Sequence, residues 1–222
     1  MAKSPWSCVL WDVDGTIADA SAGIVPRIAQ VLAGFGKEPI PAEQVNRWIG
    51  PPLLESFEQL GGLTPEQALE AVATYRELAG KAGYATSVRI YDDVPDVIQA
   101  VADAGIPQST ASTKPENQVE AILAHYDLAP LFVSIHGAVS DVEVLDTKSN
   151  VLGRALRDLG EKGVDISKPV LIGDRHHDID GAADFDVPVI FVRWGFGRED
   201  ESAGAAHVVD TPEQLRQLLL PD

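Results

Sequence analysis

In a chain of 222 residues, 34 Asp and Glu outnumber 17 Lys and Arg, a formal net charge of -17 at pH 7. That surplus excludes a global basic footprint for a nucleic-acid polymer, so an anionic ligand must be drawn in by local cations or a metal ion. With 45% hydrophobic residues, 23% charged residues and one cysteine, the chain reads as an ordinary globular protein without an internal disulfide, long enough for a core with an inserted lobe.

Residues 1–7 lead into no long apolar stretch, so neither a signal peptide nor a membrane span is expected, and cytoplasmic residence follows. Val9, Leu10 and Trp11 then read as a short buried strand, with Cys8 as a small buried hydrophobe beside them. The strand ends in Asp12 and Asp14. Residues i and i+2 of an extended chain share a face, so these carboxylates repel unless a cation or a shared proton offsets their charge.

From Ala18 to Ser87 the pattern is nearly all helical. Residues 22–35 have helical apolar spacing, Pro41 with Glu43 opens another helix, and a Gly-Pro-Pro break at 50–52 precedes a short one. Thr64-Pro65-Glu66 is an N-cap followed by proline at the first helical position. After Val88 the rhythm changes to alternation. The helix VPDVIQAVADAG, the strand-like QSTAS and the helix PENQVEAILAHY are followed by LFVSIHG. Then come the helix KSNVLGRALRDLG, the strand PVLIGD, a helix through Gly181, the strand VPVIFV and a last helix. Such alternation predicts an α/β fold, a parallel sheet covered on both faces. The expected division is a core of residues 1–17 and 88–222, with a helical cap of residues 18–87 inserted after the first strand.

Ligands of open α/β sheets bind beyond the carboxyl ends of the strands. That rule gathers Asp12 and Asp14, Ser112, Asp174 with Asp178, and Lys148 at one edge. Asp12, Asp174 and Asp178 are hard oxygen ligands of the kind Mg²⁺ prefers. One carboxylate can then attack phosphorus, and Asp14 can protonate the leaving oxygen and later deprotonate water. Lys148, the Ser112 hydroxyl and backbone amides around Gly15 can stabilise the equatorial oxygens. In the insert, Arg47 is the candidate to grip a substrate anion bidentately, and Trp48 fits the insert's core. His176 and His177 are weaker candidates, because adjacent side chains are expected to diverge and a hard oxygen site disfavours imidazole.

These motifs are similar to those of haloacid-dehalogenase-superfamily phosphatases, in the branch of phosphoglycolate phosphatases and related small 5'-nucleotidases. DVDGT (residues 12–16) resembles the first motif of the family, STK (112–114) the second, Lys148 in DTKSNVL the third and GDRHHD (173–178) the fourth. RWIGPPL and VRWGFG also resemble this branch. The resemblance implies a Rossmann-like core with a helical cap and a Mg²⁺-dependent phosphomonoester hydrolase acting on a small phosphorylated metabolite. Asp12 would be the nucleophile that becomes an aspartyl-phosphate, and Asp14 the acid/base. Ser112 and Lys148 would complete the catalytic set, with Gly15, Thr113 and Arg47 on the substrate. The metal would be held by Asp12, Asp174, Asp178 and Asp14, the last through its backbone carbonyl. Departures exist: Ser-Asn-Val follows Lys148 where many relatives carry proline, and the strand before Ser112 is unusually polar. A nucleoside monophosphate 5'-nucleotidase and a phosphomutase of the same fold remain alternatives, and a non-catalytic binding protein is the remotest. No nucleic-acid or membrane partner is expected, and the sequence is silent on oligomeric state.

Overall fold

The computed structural model describes residues 4–139 and 146–221. Strand β1 (Cys8–Trp11) is followed by β2 (Ala18–Asp19), α1 (Ser21–Gly34), a 3-10 turn (Ala42–Trp48), α2 (Leu53–Gln59), α3 (Pro65–Ala82) and β3 (Arg89–Ile90). Next come α4 (Val94–Asp103), β4 (Gln108–Thr110), α5 (Glu116–His125), α6 (Lys148–Glu161) and β5 (Pro169–Gly173). The chain then forms α7 (His176–Ala183), β6 (Val189–Val192), β7 (His207–Val209) and α8 (Pro212–Leu219).

Five strands pair in parallel in the order β4-β1-β5-β6-β7. Successive strand residues face opposite sides, and the two faces bury different clusters. Val9, Trp11, Val170 and Ile172 pack with residues of α4, α5 and α8, whereas Cys8, Leu10 and Leu171 pack with residues of α6 and α7. Trp11 pairs with both Thr110 and Ile172, so β1 and β4 end level and β5 runs one residue further. Their next residues therefore emerge at one edge. That alignment positions the site.

β4 is fully buried despite its polar sequence. The Gln108 amide accounts for part of this: it accepts from Trp11 Nε1 at 3.0 Å and donates to the carbonyls of Ile98 and Leu131. Buried polar groups matched in this way avoid the desolvation cost that the sequence alone suggests. LFVSIHG forms no strand of the sheet. It runs beside β4 with only isolated bridges, because the Thr110 hydroxyl accepts from His136 N and donates to His136 O, interrupting the ladder. The short β7 at the far edge, conversely, was not anticipated.

The segment between β2 and β3 forms a helical lobe with an apolar cluster of its own. Ile28, Ile49, Phe57, Ala71 and Val72 lie in it, and Phe196 of the core closes one side. Trp48 joins this cluster edge-on to Phe57, with ring centroids 5.9 Å apart. Thr64 and Gln67 make a reciprocal capping box that starts α3, as the Thr-Pro-Glu pattern suggests. β2 and β3 pair antiparallel, so the two crossings into and out of the lobe are tied together. No helix of the described residues is long and apolar enough to cross a membrane.

Candidate active site

Three carboxylates converge where β1 and β5 end. Asp12 follows β1, Asp174 follows β5, and Asp178 lies in the first turn of α7; one oxygen from each falls within 4.8 Å of the others, and all are buried. Lys148 reaches the same spot because Thr147 caps α6, accepting from Asn150 N and making the lysine the first helical residue. Its ammonium lies 2.8 Å from Asp12 Oδ1, 2.8 Å from Asp178 Oδ1 and 2.7 Å from the Ala111 carbonyl.

One ammonium cannot balance three buried carboxylates. Burial pushes the Asp174 carboxyl well above its ordinary range, and Asp178 and Asp12 push it further, against the Phe196 amide that donates to Asp174 Oδ2 at 2.7 Å. Burial likewise raises Asp178, although Lys148 opposes it. Burial alone would depress the Lys148 ammonium, but Asp12 and Asp178 more than offset this, and its pKa is raised. Asp174 Oδ1 is buried without a hydrogen-bond partner. A hard oxygen set with an excess of buried negative charge and an orphaned oxygen fits a divalent cation such as Mg²⁺. The backbone is shaped around the same carboxylate. Gly15 has φ +86°, and a Cβ there would lie 2.1 Å from Asp174 Oδ2; a Cβ on Gly195 would lie 2.3 Å from the same atom.

Asp14 is held apart from this trio. Its Oδ2 pairs at 2.8 Å with Lys114, whose side chain is only 8% exposed, and its Oδ1 has no partner. Burial raises the Asp14 pKa, outweighing the nearby Lys114 ammonium. Ser112 is buried immediately after β4 and Ala111, its hydroxyl accepting from Lys114 N at 3.3 Å. Between the core and the lobe lies a cavity of about 80 Å³, lined by Asp14, Thr113 and Lys114 from the core and by Trp48, Tyr75 and Arg76 from the lobe. Trp48 thus serves the lobe's core and the cavity wall together.

Two core side chains grip the lobe. Thr113 Oγ1 donates to the Gly50 carbonyl at 2.8 Å. The buried Arg175 guanidinium donates through Nη1 to the carbonyls of Asn46 and Ile49, while its Nε pairs with Glu201 at 2.8 Å. Neither Arg175 nor Glu201 was singled out in the sequence, and Lys114 was visible only as the last letter of STK. A motif read from the sequence offers no sign of which of its residues faces a lobe.

The structure brings Asp12, Asp174, Asp178 and Lys148 together, sets Asp14, Gly15, Ser112 and Thr113 around them, and leaves Arg47 elsewhere. Arg47 lines a separate groove between lobe and core with His177, Arg198 and Glu55. The rings of His176 and His177 do not diverge as expected; their centroids are 3.8 Å apart. Glu201 fixes His176 through Nδ1 at 2.8 Å, and burial pushes the His177 pKa down to about 4.

Residues 9–192 match the model of the haloacid dehalogenase-like hydrolase family. A 5'-nucleotidase of Pseudomonas aeruginosa is 34% identical over 95% of this chain and 94% of its own. Tyrosine-protein kinase PtkA of Mycobacterium tuberculosis is 32% identical over 86% of this chain, which spans 64% of the kinase. Among solved structures, a predicted phosphatase from Clostridium acetobutylicum superposes with a TM-score of 0.88 at 28% identity, covering 97% of this chain and 98% of that one.

Proposed function

The chain belongs to the haloacid dehalogenase-like hydrolase family and is a phosphatase, and from there we propose that it cleaves a small phosphomonoester through an aspartyl-phosphate on Asp12, with Mg²⁺ as cofactor. The observation that carries this reading is the convergence of buried Asp12, Asp174 and Asp178 on one another, with Lys148 paired to Asp12 and Asp178. Asp12, Asp174 and Asp178 would hold the metal, with the Asp14 backbone carbonyl as the family resemblance implies. Bound there, Mg²⁺ would neutralise the phosphate oxygens and the carboxylates together.

In the first step an Asp12 oxygen bonds to phosphorus as the bond from phosphorus to the substrate's alcohol oxygen breaks. Asp14, whose carboxyl burial shifts toward the protonated form, gives its proton to that oxygen. In the second step water attacks phosphorus, the bond to Asp12 breaks, and Asp14 takes the water's proton. Ser112 and Lys148 stabilise charge on the transferred group, and Lys148 also holds the Asp12 carboxylate in place. The lobe acts as a cap: Thr113 and Arg175 hold it against the core, keeping bulk water from the intermediate. We place the core in residues 1–17 and 88–222 and the cap in 18–87.

A phosphoglycolate-type ester suits the small cavity. The relative named 5'-nucleotidase supports nucleoside monophosphates as the second reading. Phosphate release from a panel holding phosphoglycolate, pyrophosphate and nucleoside monophosphates, with and without Mg²⁺, tests both against the Asp12→Asn variant. Release that needs the metal and disappears in Asp12→Asn is expected. Release that persists in Asp12→Asn would overturn the nucleophile assignment.

A further inference from the structure

We propose that Lys114 selects the substrate by binding a second oxyanion, a carboxylate or a further phosphate, on the short alcohol that leaves. The inference rests on the phosphatase reading above and deepens it.

The two buried lysines of the site are unequally partnered. An ammonium has three donors, and those of Lys148 meet Asp12, Asp178 and the Ala111 carbonyl. Lys114 is buried as well, yet among the described residues Asp14 Oδ2 is the acceptor it meets. Leaving donors of a buried cation unmatched is costly, and an arriving anion removes that cost without displacing Asp14.

Position gives the anion its identity. Lys148 sits with the nucleophile Asp12, on the phosphoryl side, and Lys114 sits with Asp14, the group that protonates the departing oxygen. The leaving alcohol therefore occupies the cavity that Lys114 lines. Much of the wall there is apolar, formed by Ile24, Trp48, Leu54 and Val72, and Lys114 with Arg76 of the lobe makes it a positive pocket in an otherwise strongly acidic protein. Size sets the second limit. A cavity of about 80 Å³ favours a short leaving alcohol.

Phosphoglycolate and ethyl phosphate are a matched pair, alike except for the carboxylate. Wild type is expected to favour phosphoglycolate in kcat/KM, and Lys114→Met to lower that preference by about 10- to 100-fold, chiefly through KM. Lys114→Arg, which keeps the charge, is expected to restore part of it. Ethylene glycol bisphosphate, the same two-carbon frame with a phosphate in place of the carboxylate, names the oxyanion as a third substrate: the larger Lys114-dependent preference identifies carboxylate or phosphate. If Lys114→Met fails to fold, Lys114→Gln repeats the test with a neutral donor left to Asp14. A parallel loss on both esters, with the preference intact, overturns the inference and leaves Lys114 as a support for Asp14. Cleavage of nucleoside monophosphates alone also overturns it while the phosphatase reading stands. Release from no ester at all overturns that reading itself.

Discussion

The Thr113 hydroxyl donates a 2.8 Å hydrogen bond to the Gly50 carbonyl, so the residue next to Ser112 is joined directly to the helical lobe. Arg175, next to Asp174, makes the parallel contact with Asn46 and Ile49. Lobe position and the arrangement of the phosphoryl site are thereby one structural problem.

Thr113→Val keeps the shape and deletes one neutral hydrogen bond, worth about 1 kcal/mol. We expect KM to rise by roughly 5-fold, with faster amide exchange in residues 42–60. Arg175→Met should exceed it on both measures. Unchanged exchange in both variants would show that these bonds do not hold the lobe.

Asp174→Asn should stabilise the metal-free protein and abolish activity. The substitution removes one of three repelling buried carboxylates while keeping an acceptor for Phe196 N. Its melting temperature should rise by about 2–4 °C for each kcal/mol relieved. Added Mg²⁺ should raise the melting temperature of wild type and not that of the variant.

Lys148→Met has the opposite sign. It leaves Asp12 and Asp178 buried without their cation, a loss of about 3–5 kcal/mol for a broken buried pair. Chemical denaturation of the metal-free proteins measures it. A loss near zero would mean that the carboxylates are protonated in both.

Arg175 and His176 hydrogen bonds hold the Glu201 carboxyl at about 2, below its ordinary 4.5, although its burial works the other way. A depressed carboxyl contributes stability that is complete above its unfolded value and lost as the pH falls through its folded one. The stability difference between wild type and Glu201→Gln should therefore be constant near neutrality and shrink between pH 4.5 and about 2. Melting curves across that range check the sign.

Gly15→Ala should disable the site while the core survives. The new Cβ would meet Asp174 Oδ2 at 2.1 Å, on a backbone at φ +86° that side chains rarely adopt. Loss of Mg²⁺ binding with far-ultraviolet circular dichroism retained is the expected outcome.

Much of this was legible in the chain itself. Apolar runs ending in Asp12 and Asp174, alternation after Val88 and the Thr64 cap predict a parallel sheet, a helical insert and an acidic edge, because periodicity and capping are local properties. What LFVSIHG does was not legible, for a reason that is not local: the Thr110 side chain takes the place of a ladder bond with His136. The polar β4 needed Trp11, Ile98 and Leu131, all distant in sequence, to be buried at all.

The sequence by itself determined which residues can do chemistry and that strand ends gather them. Only the tertiary structure decided how they are shared: Lys148 with Asp12 and Asp178, Lys114 with Asp14, Arg175 with the lobe, and Arg47 away from the cavity. A charge in a sequence has a sign but no partner. Burial and distance, set by chain segments far apart, choose the partner and with it the role.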